Sequence, residues 1–155
     1  LEAWARGQGI STTKIGAIPV AFSPLHRKGI VMTSDRVYDI PVYVSRAALG
    51  PIATYPSPFR ADDPFIMRAW ATPHGKRYRW FARFPLALRL DEGEKRRVIL
   101  YDLRFQGRLE DLDAVGRAIA RLFLRRWPQL MERKRQALEV IFDADGRIER
   151  VAFLH

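Results

Sequence analysis

The carboxy-terminal part of the chain contains its clearest turn signal. Two runs of alternating apolar and polar residues, ALEVIF and RIERVAFL, flank Asp145-Gly146. Alternation places every second side chain on the same face of a strand, and Asp-Gly is a preferred pair for a tight turn between antiparallel strands. Residues 137–155 therefore predict a β-hairpin, and this hairpin in turn needs an antiparallel sheet to join.

Two further hairpins are predicted upstream. One turns at residues 33–36 (TSDR), between GIVM and VYDIPVYVS, and the other turns at residues 91–94 (DEGE) before RRVILYDLRF. In the strand after the second turn, alternation places Val98, Leu100 and Asp102 on one face. These hairpins extend the predicted sheet.

The remaining strand signals are weaker. IGAIPVAF predicts a strand, residues 24–29 a connection, and the prolines of residues 50–64 an irregular loop. Residues 64–72 (PFIMRAWAT) and 76–90 (KRYRWFARFPLALRL) predict two more strands. In the second of these, the apolar positions on one face are Tyr78, Trp80, Ala82 and Phe84. Such a row is more typical of a core than of a binding platform.

One long helix is predicted after Gly107, with acids in its first turn and arginines in its last, as the helix dipole favours. Its apolar residues recur at helical spacing: Leu112, Val115, Ile119, Leu122 and Phe123. Strands before and after this helix, without regular alternation, predict the α+β class. We expect a mostly antiparallel, curved sheet of about six to eight strands packed on one long helix in the C-terminal half.

The chain opens on LEAWARGQG, without an initiating Met. We therefore expect residues 1–13 to be the end of a preceding, membrane-linked helix, and residues 14–155 to form a single α+β domain. With 155 residues, 48% of them hydrophobic, the chain can bury one core. The absence of cysteine excludes disulfides and thiolate metal sites.

The charge of the chain points to its class of partner. Twenty-seven Lys and Arg residues against seventeen acids give a net charge of +10. Such an excess favours an anionic partner: a membrane surface, a nucleic acid or an acidic substrate. The candidate anion-binding residues are Lys76, Arg77, Arg79 and Arg83, which are interleaved with aromatics, and a stripe on the predicted helix, Arg117, Arg121 and Arg125.

Signals for catalysis and for metal binding are weak. His26, His74 and His155 lack the i, i+4 spacing of a helical zinc site. Turn chemistry explains the acid pairs at residues 62–63 and at 143 and 145 more simply than catalysis does. The sequence predicts no metal ligands and identifies no catalytic residue.

Asp102 and Arg104 form the remaining candidate pair. They lie two residues apart near the end of a predicted strand, so both side chains are expected on one face, where they can form an ion pair or each meet a cross-strand partner. We interpret the pair mainly as a structural lock. A self-contained enzyme would need a third group, such as a histidine, beside them.

Four segments, in this order, carry a resemblance to a known family: AIPVAFSPLHRKGIV, VYDIPVYVS, RWFARFPLALRL and VILYDLRF. They resemble the carboxy-terminal soluble portion of bacterial inner-membrane proteins of the membrane-bound, metal-dependent hydrolase family. The shared features are a P-x-x-x-x-P segment, an Arg-Phe-Pro strand and a D-L-R-[FY] end. The resemblance covers about residues 14–105.

This resemblance implies an extramembrane domain that is accessory or regulatory to a catalytic centre elsewhere in the protein. The family's histidine and aspartate ligands for a divalent metal lie in amino-terminal membrane segments, so no cofactor is expected on this chain. The implied partners are the anionic membrane surface and the protein's own membrane segments, at the cytoplasmic face of the inner membrane. The alternative is a free-standing, basic nucleic-acid-binding module.

Overall fold

The fold belongs to the α+β class, as the sequence predicts. A computed structural model describes residues 1–20, 23–59, 62–106 and 136–154. Within these ranges the strands form two antiparallel sheets, one of five strands and one of four. The described residues fall into two compact units, residues 1–57 and residues 58–106 with 136–154. The helix predicted after Gly107, with Arg117, Arg121 and Arg125, lies outside the described residues, as does His155.

The first unit contains one short helix and the five-stranded sheet. Strands β1, β2 and β3 follow one another across the sheet, and β4 and β5 both pair with β3. The elements are α1 (Glu2–Gly7), β1 (Lys14–Val20), β2 (Ser23–Met32), β3 (Arg36–Tyr43), a 3₁₀ turn (Val44–Arg46), β4 (Ala48–Leu49) and β5 (Ala53–Pro56).

The hairpin predicted at residues 33–36 is confirmed in this unit. Its turn is closed by Thr33, whose hydroxyl donates 2.7 Å to the Asp35 carboxylate, while the Arg36 amide donates to the Thr33 hydroxyl. A helix within residues 1–13 is also present, and its Trp4 contacts Tyr38 edge to face.

Two loops predicted in this unit are partly extended. Residues 24–29 lie within β2, because every position from His26 to Met32 pairs with β3. The proline-rich segment of residues 50–64 contributes β5, which pairs with β3 over four positions. Proline is tolerated there because this short strand pairs with one described strand only.

The second unit contains two helices and the four-stranded sheet, in which strands pair in chain order. The elements are α2 (Pro64–Ala71), α3 (Pro73–Phe81), β6 (Pro85–Glu92), β7 (Lys95–Asp102), a 3₁₀ turn (Leu103–Phe105), β8 (Ala137–Phe142) and β9 (Ile148–Leu154). The predicted hairpins at residues 91–94 and at Asp145-Gly146 are confirmed. Each contains a glycine at positive φ, Gly93 and Gly146.

The strands predicted over residues 64–72 and 76–81 are wrong, because these residues form α2 and α3. Each helix begins with a capping side chain followed by proline. The Asp63 carboxylate accepts from the amides of Phe65 and Ile66, and the Thr72 hydroxyl accepts from the amide of Gly75. A side-chain cap and a proline in the first turn both favour helix, and together they override the short alternation in KRYRWF.

The core of the second unit lies between the two helices and one face of the sheet. Val98, Leu100 and Leu138 of the sheet are buried there against Trp70 and Tyr78. The prediction that Val98, Leu100 and Asp102 share one face of the strand is confirmed, and the structure adds that this face is buried, since all three residues are fully buried. The sheet therefore covers one side of α3, and the side chains on the opposite side of α3 face outward.

The described strands form two sheets, whereas the sequence predicts one curved sheet. Most pairs in each sheet join strands that follow one another in the chain, although residues 103–136 separate β7 from β8 and β5 pairs with β3. The segment between β5 and β6 holds α2 and α3, and no strand of one sheet pairs with a described strand of the other. Local hairpin pairing satisfies the backbone within each sheet, so a single continuous sheet is not required.

Candidate functional site

Asp102 and Arg104 form the ion pair that the sequence predicts. Arg104 Nη2 lies 2.7 Å from Asp102 Oδ2, and Arg104 Nε lies 2.8 Å from the same oxygen. The strand ends at Asp102, however, so the two residues do not share a strand face. Asp102 instead caps the following 3₁₀ turn and accepts from the Arg104 amide at 2.9 Å.

A distant backbone group also donates to this carboxylate. The Arg83 amide, 19 residues earlier in the chain, lies 2.8 Å from Asp102 Oδ2. Asp102 is fully buried and accepts from two amides and one guanidinium, and no histidine is among these donors. A carboxylate held in this way locks the start of β6 to the end of β7, which is an architectural role.

The four basic candidates of residues 76–83 lie on or just after α3, and the side chains of all four are exposed. The Arg79 guanidinium stacks over the Phe59 ring at 4.3 Å. No described acidic side chain forms a salt bridge with Lys76, Arg77 or Arg83. The helix itself contains no acid. This face therefore presents a concentration of positive charge.

Trp80 lies in the middle of these cations and is 90% exposed. Tyr78, two residues earlier, is only 2% exposed. Two residues along a helix turn through about 200°, so the two side chains point to opposite sides. The predicted common face of Tyr78 and Trp80 is therefore wrong: Tyr78 belongs to the core, and Trp80 projects from the surface.

An apolar groove of about 510 Å³ lies beside α3. The Tyr78 ring lies between Phe81 and Phe153, with centroid separations of 6.2 Å and 6.4 Å. Burial, and to a smaller extent the Asp102 carboxylate, raises the pKa of the Tyr78 phenol. The protonated hydroxyl donates to the Gln136 carbonyl oxygen. The groove residues among those described are Arg77, Tyr78, Trp80, Phe81, Gln136, Phe153 and Leu154.

A stacked aromatic pair adjoins this face. The rings of Phe81 and Phe105 are nearly parallel, with centroids 6.1 Å apart, and both are more than 40% exposed. The Arg104 guanidinium lies within 6 Å of both rings and donates to the Phe81 carbonyl oxygen. Arg104 thus connects the buried Asp102 to the exposed aromatic surface.

Neither described histidine donates a hydrogen bond to Asp102. His26 is 1% exposed on β2 and stacks on Tyr43, and neither of its ring nitrogens has a hydrogen-bond partner in the described part of the chain. His74 lies on α3, edge to face with Phe153. Within the described ranges, no group of three or more metal-binding side chains is close enough to hold an ion.

One acid of each pair has a local structural role: Asp143 lies in the turn that the sequence predicts, whereas Asp63 is a helix cap that the sequence does not predict. Asp63 caps α2, and its other oxygen lies 3.5 Å from Arg89. Asp143 accepts from the Arg147 amide across the final turn at 2.7 Å. These bonds satisfy the carboxylates with local donors.

Sequence reasoning missed a second buried acid, Glu139 on β8. Its carboxylate accepts from Arg97 and lies 3.7 Å from Arg150, with a side chain only 4% exposed. The hydrogen bonds with Glu139 and Glu92 raise the pKa of the Arg97 guanidinium. The alternation of ALEVIF places Glu139 between apolar residues, which was the available signal for a cross-strand pair.

The exposure of Trp80 and the groove were also missed. The Asp63-Pro64 and Thr72-Pro73 pairs could have identified the two helices, and the helical period would then have separated Trp80 from Tyr78. No local pattern in the sequence indicates that Phe153 lines the groove, because Phe153 lies on a strand more than 70 residues further along the chain than α3. The groove therefore depends on tertiary structure.

Among the described residues, no helix combines the length and the apolar composition that crossing a bilayer requires. Comparisons with protein-family models, with curated proteins and with solved structures found no match to this chain.

Proposed function

We propose that this chain is the extramembrane portion of a membrane-bound, metal-dependent hydrolase and that α3 lies against an anionic membrane surface. The observation that carries the proposal is the 90% exposure of Trp80 in the middle of a basic helix face. The order of motifs that resembles this family supports the assignment to a membrane protein. In this proposal, hydrolysis and any divalent metal belong to the membrane segments.

The physical argument rests on what Trp80 and its neighbours favour. Indole is amphipathic and concentrates at the boundary between head groups and acyl chains. Lys76, Arg77, Arg79 and Arg83 are exposed around it. Each basic residue near an anionic surface contributes about 1 kcal/mol. Together these groups suit a helix that lies in the plane of the membrane.

The proposed role is accessory. The domain docks at the cytoplasmic face of the bacterial inner membrane, against the protein's own membrane segments, and covers or regulates the centre built there. The buried Asp102 and its donors hold α3 to the sheet and so keep the docking face in place. The helix that the sequence predicts after Gly107, with its stripe of Arg117, Arg121 and Arg125, would add to the same attraction.

The experiment is vesicle co-sedimentation across a salt series, with anionic and neutral vesicles. We expect binding to anionic vesicles that weakens as salt rises, and a large loss of binding for Trp80→Ala. Leu88→Ala is the matched control, because Leu88 is an exposed apolar residue on β6, outside α3. Equal binding of the wild type and Trp80→Ala would contradict the proposal.

Single-stranded nucleic acid is the second candidate partner, and the same exposed Trp80 favours it. An aromatic ring flanked by arginines stacks with a base while the cations contact phosphates. The stacked Phe81 and Phe105 add two more rings to this surface. Oligonucleotides belong in the same salt series. Tighter binding to them than to anionic vesicles, with a steep salt dependence, would favour this alternative.

A further inference from the structure

The groove beside α3 has the size and lining of a small-molecule site. Its volume of about 510 Å³ falls within the roughly 300–1,000 Å³ that is typical of ligand pockets. Phe81, Tyr78 and Phe153 form one continuous aromatic wall, and Leu154 extends it. Phe81 and Phe153 remain 43% and 42% exposed, so the wall faces outward. Such a wall favours an apolar ligand body.

The polar groups of the groove define the other end of the ligand. Tyr78 uses its hydroxyl to donate to the Gln136 carbonyl oxygen, so that hydroxyl does not present a donor to a ligand. Arg77 is the only charged side chain among the described lining residues, and no acid in the described ranges pairs with it. A guanidinium at the edge of an apolar groove complements a carboxylate or a phosphate on the ligand.

We propose that the groove binds one molecule of an anionic, single-chain amphiphile, such as a fatty acid, with its chain on the Phe81–Tyr78–Phe153 wall and its head group at Arg77. The ligand is taken as a monomer from solution. This inference goes beyond membrane docking and does not depend on it, because it requires a discrete site and not a lipid surface.

The experiment measures binding of dodecanoate, below the concentration at which it forms micelles, by chemical-shift perturbation in NMR spectra. Dodecanol is the neutral probe of equal chain length. We expect saturable binding of one dodecanoate per chain, with the largest shifts at Phe81, Phe153 and Leu154. Dodecanol should bind more weakly. This wild-type measurement does not depend on the stability of any variant.

Two variants test the two ends of the ligand separately. Phe153→Ala should weaken dodecanoate binding about tenfold, since it removes a large part of the apolar wall. Ile148→Ala is its matched control, because Ile148 lies on the same strand with the same 42% exposure but outside the groove. Arg77→Gln should weaken dodecanoate about two- to fivefold and leave dodecanol unchanged. Arg147→Gln, which changes an exposed arginine outside both the groove and the basic face of α3, should change neither.

Three results would overturn the inference: no saturable binding, equal loss in Phe153→Ala and Ile148→Ala, or equal affinity for dodecanoate and dodecanol. Vesicle binding is measured in parallel on the same samples. A wild type that binds vesicles but not monomeric dodecanoate refutes the groove alone. A wild type that binds dodecanoate with the expected variant pattern but not vesicles supports the groove and refutes membrane docking.

Discussion

The Arg104 guanidinium holds the fully buried Asp102 carboxylate, with Nη2 2.7 Å from Oδ2. Arg104 also lies 5.0 Å from the centre of the Phe105 ring and bonds to the Phe81 carbonyl oxygen. The pair therefore joins the interior of the second unit to the aromatic surface beside α3. The ion pair thus connects the end of β7 to α3.

Asp102→Ala is expected to destabilise the protein by about 3–5 kcal/mol, because it leaves a guanidinium and two backbone amides without their buried acceptor. Urea denaturation measures the loss. Asp91→Ala is the control, since Asp91 also pairs with an arginine but its side chain is 57% exposed. Its cost should be small, because solvent screens an exposed ion pair. Equal costs for the two variants would contradict the structural role of Asp102.

The two tryptophans of α2 and α3 should differ sharply in their effect on stability. Trp70 is 4% exposed and its indole donates to the Pro58 carbonyl oxygen, so Trp70→Ala should cost about 3–5 kcal/mol. Trp80→Ala should change stability by no more than about 0.5 kcal/mol, because Trp80 is almost fully exposed. Thermal unfolding of both variants makes the comparison. A large loss for Trp80→Ala would indicate that residues 76–84 form the buried strand face predicted from alternation.

Gly75 tests the close contact between α2 and α3. A Cβ at this position would overlap the Ala69 carbonyl oxygen and lie 3.0 Å from the Trp70 Cα, both of which are backbone atoms. Gly75→Ala should therefore destabilise the protein by about 1–3 kcal/mol or more. Gly7→Ala in α1 is the control, since a Cβ there meets no atom within 4 Å. Chemical denaturation of the two variants should separate them, and equal stabilities would show that the two helices are not packed this closely.

The Arg89–Asp91 pair predicts a measurable shift in titration. The hydrogen bond from Arg89 lowers the pKa of Asp91 below its ordinary value of 3.8. Because the folded-state pKa is the lower one, the pair contributes stability above pH 3.8, and this contribution is lost as the pH falls through the folded-state pKa. In Arg89→Gln, the pKa of Asp91 should rise toward 3.8, as measured by NMR titration of its carboxyl carbon.

The control for this titration is Asp35 in the first unit. A hydrogen bond from Thr33 lowers the pKa of Asp35, and Arg89 does not contribute to that shift. The Asp35 titration should therefore be the same in the wild type and in Arg89→Gln. An unchanged Asp91 in the variant would show that Arg89 is not the group that lowers its pKa.

Much of the sheet structure was predictable from local patterns. Turn chemistry around Gly93 and Gly146, with alternation on each side, predicts two hairpins without any knowledge of distant residues. The sequence also placed Asp102 on the same strand face as Val98 and Leu100, and it offered Arg104 as one possible partner. It failed where two local signals competed, since the alternation in KRYRWF favoured a strand while the Thr72-Pro73 cap favoured a helix.

The sequence by itself determined the α+β class, the three hairpins and the strong positive charge, because these depend on neighbouring residues or on composition. Tertiary structure alone decided that Trp80 projects to solvent, that Arg83 donates to Asp102 and that Phe153 joins Tyr78 and Phe81. These relationships connect residues that are far apart in the chain, or depend on which face of a helix the sheet covers. Packing selects them through burial and hydrogen bonding, and no short stretch of sequence contains that information.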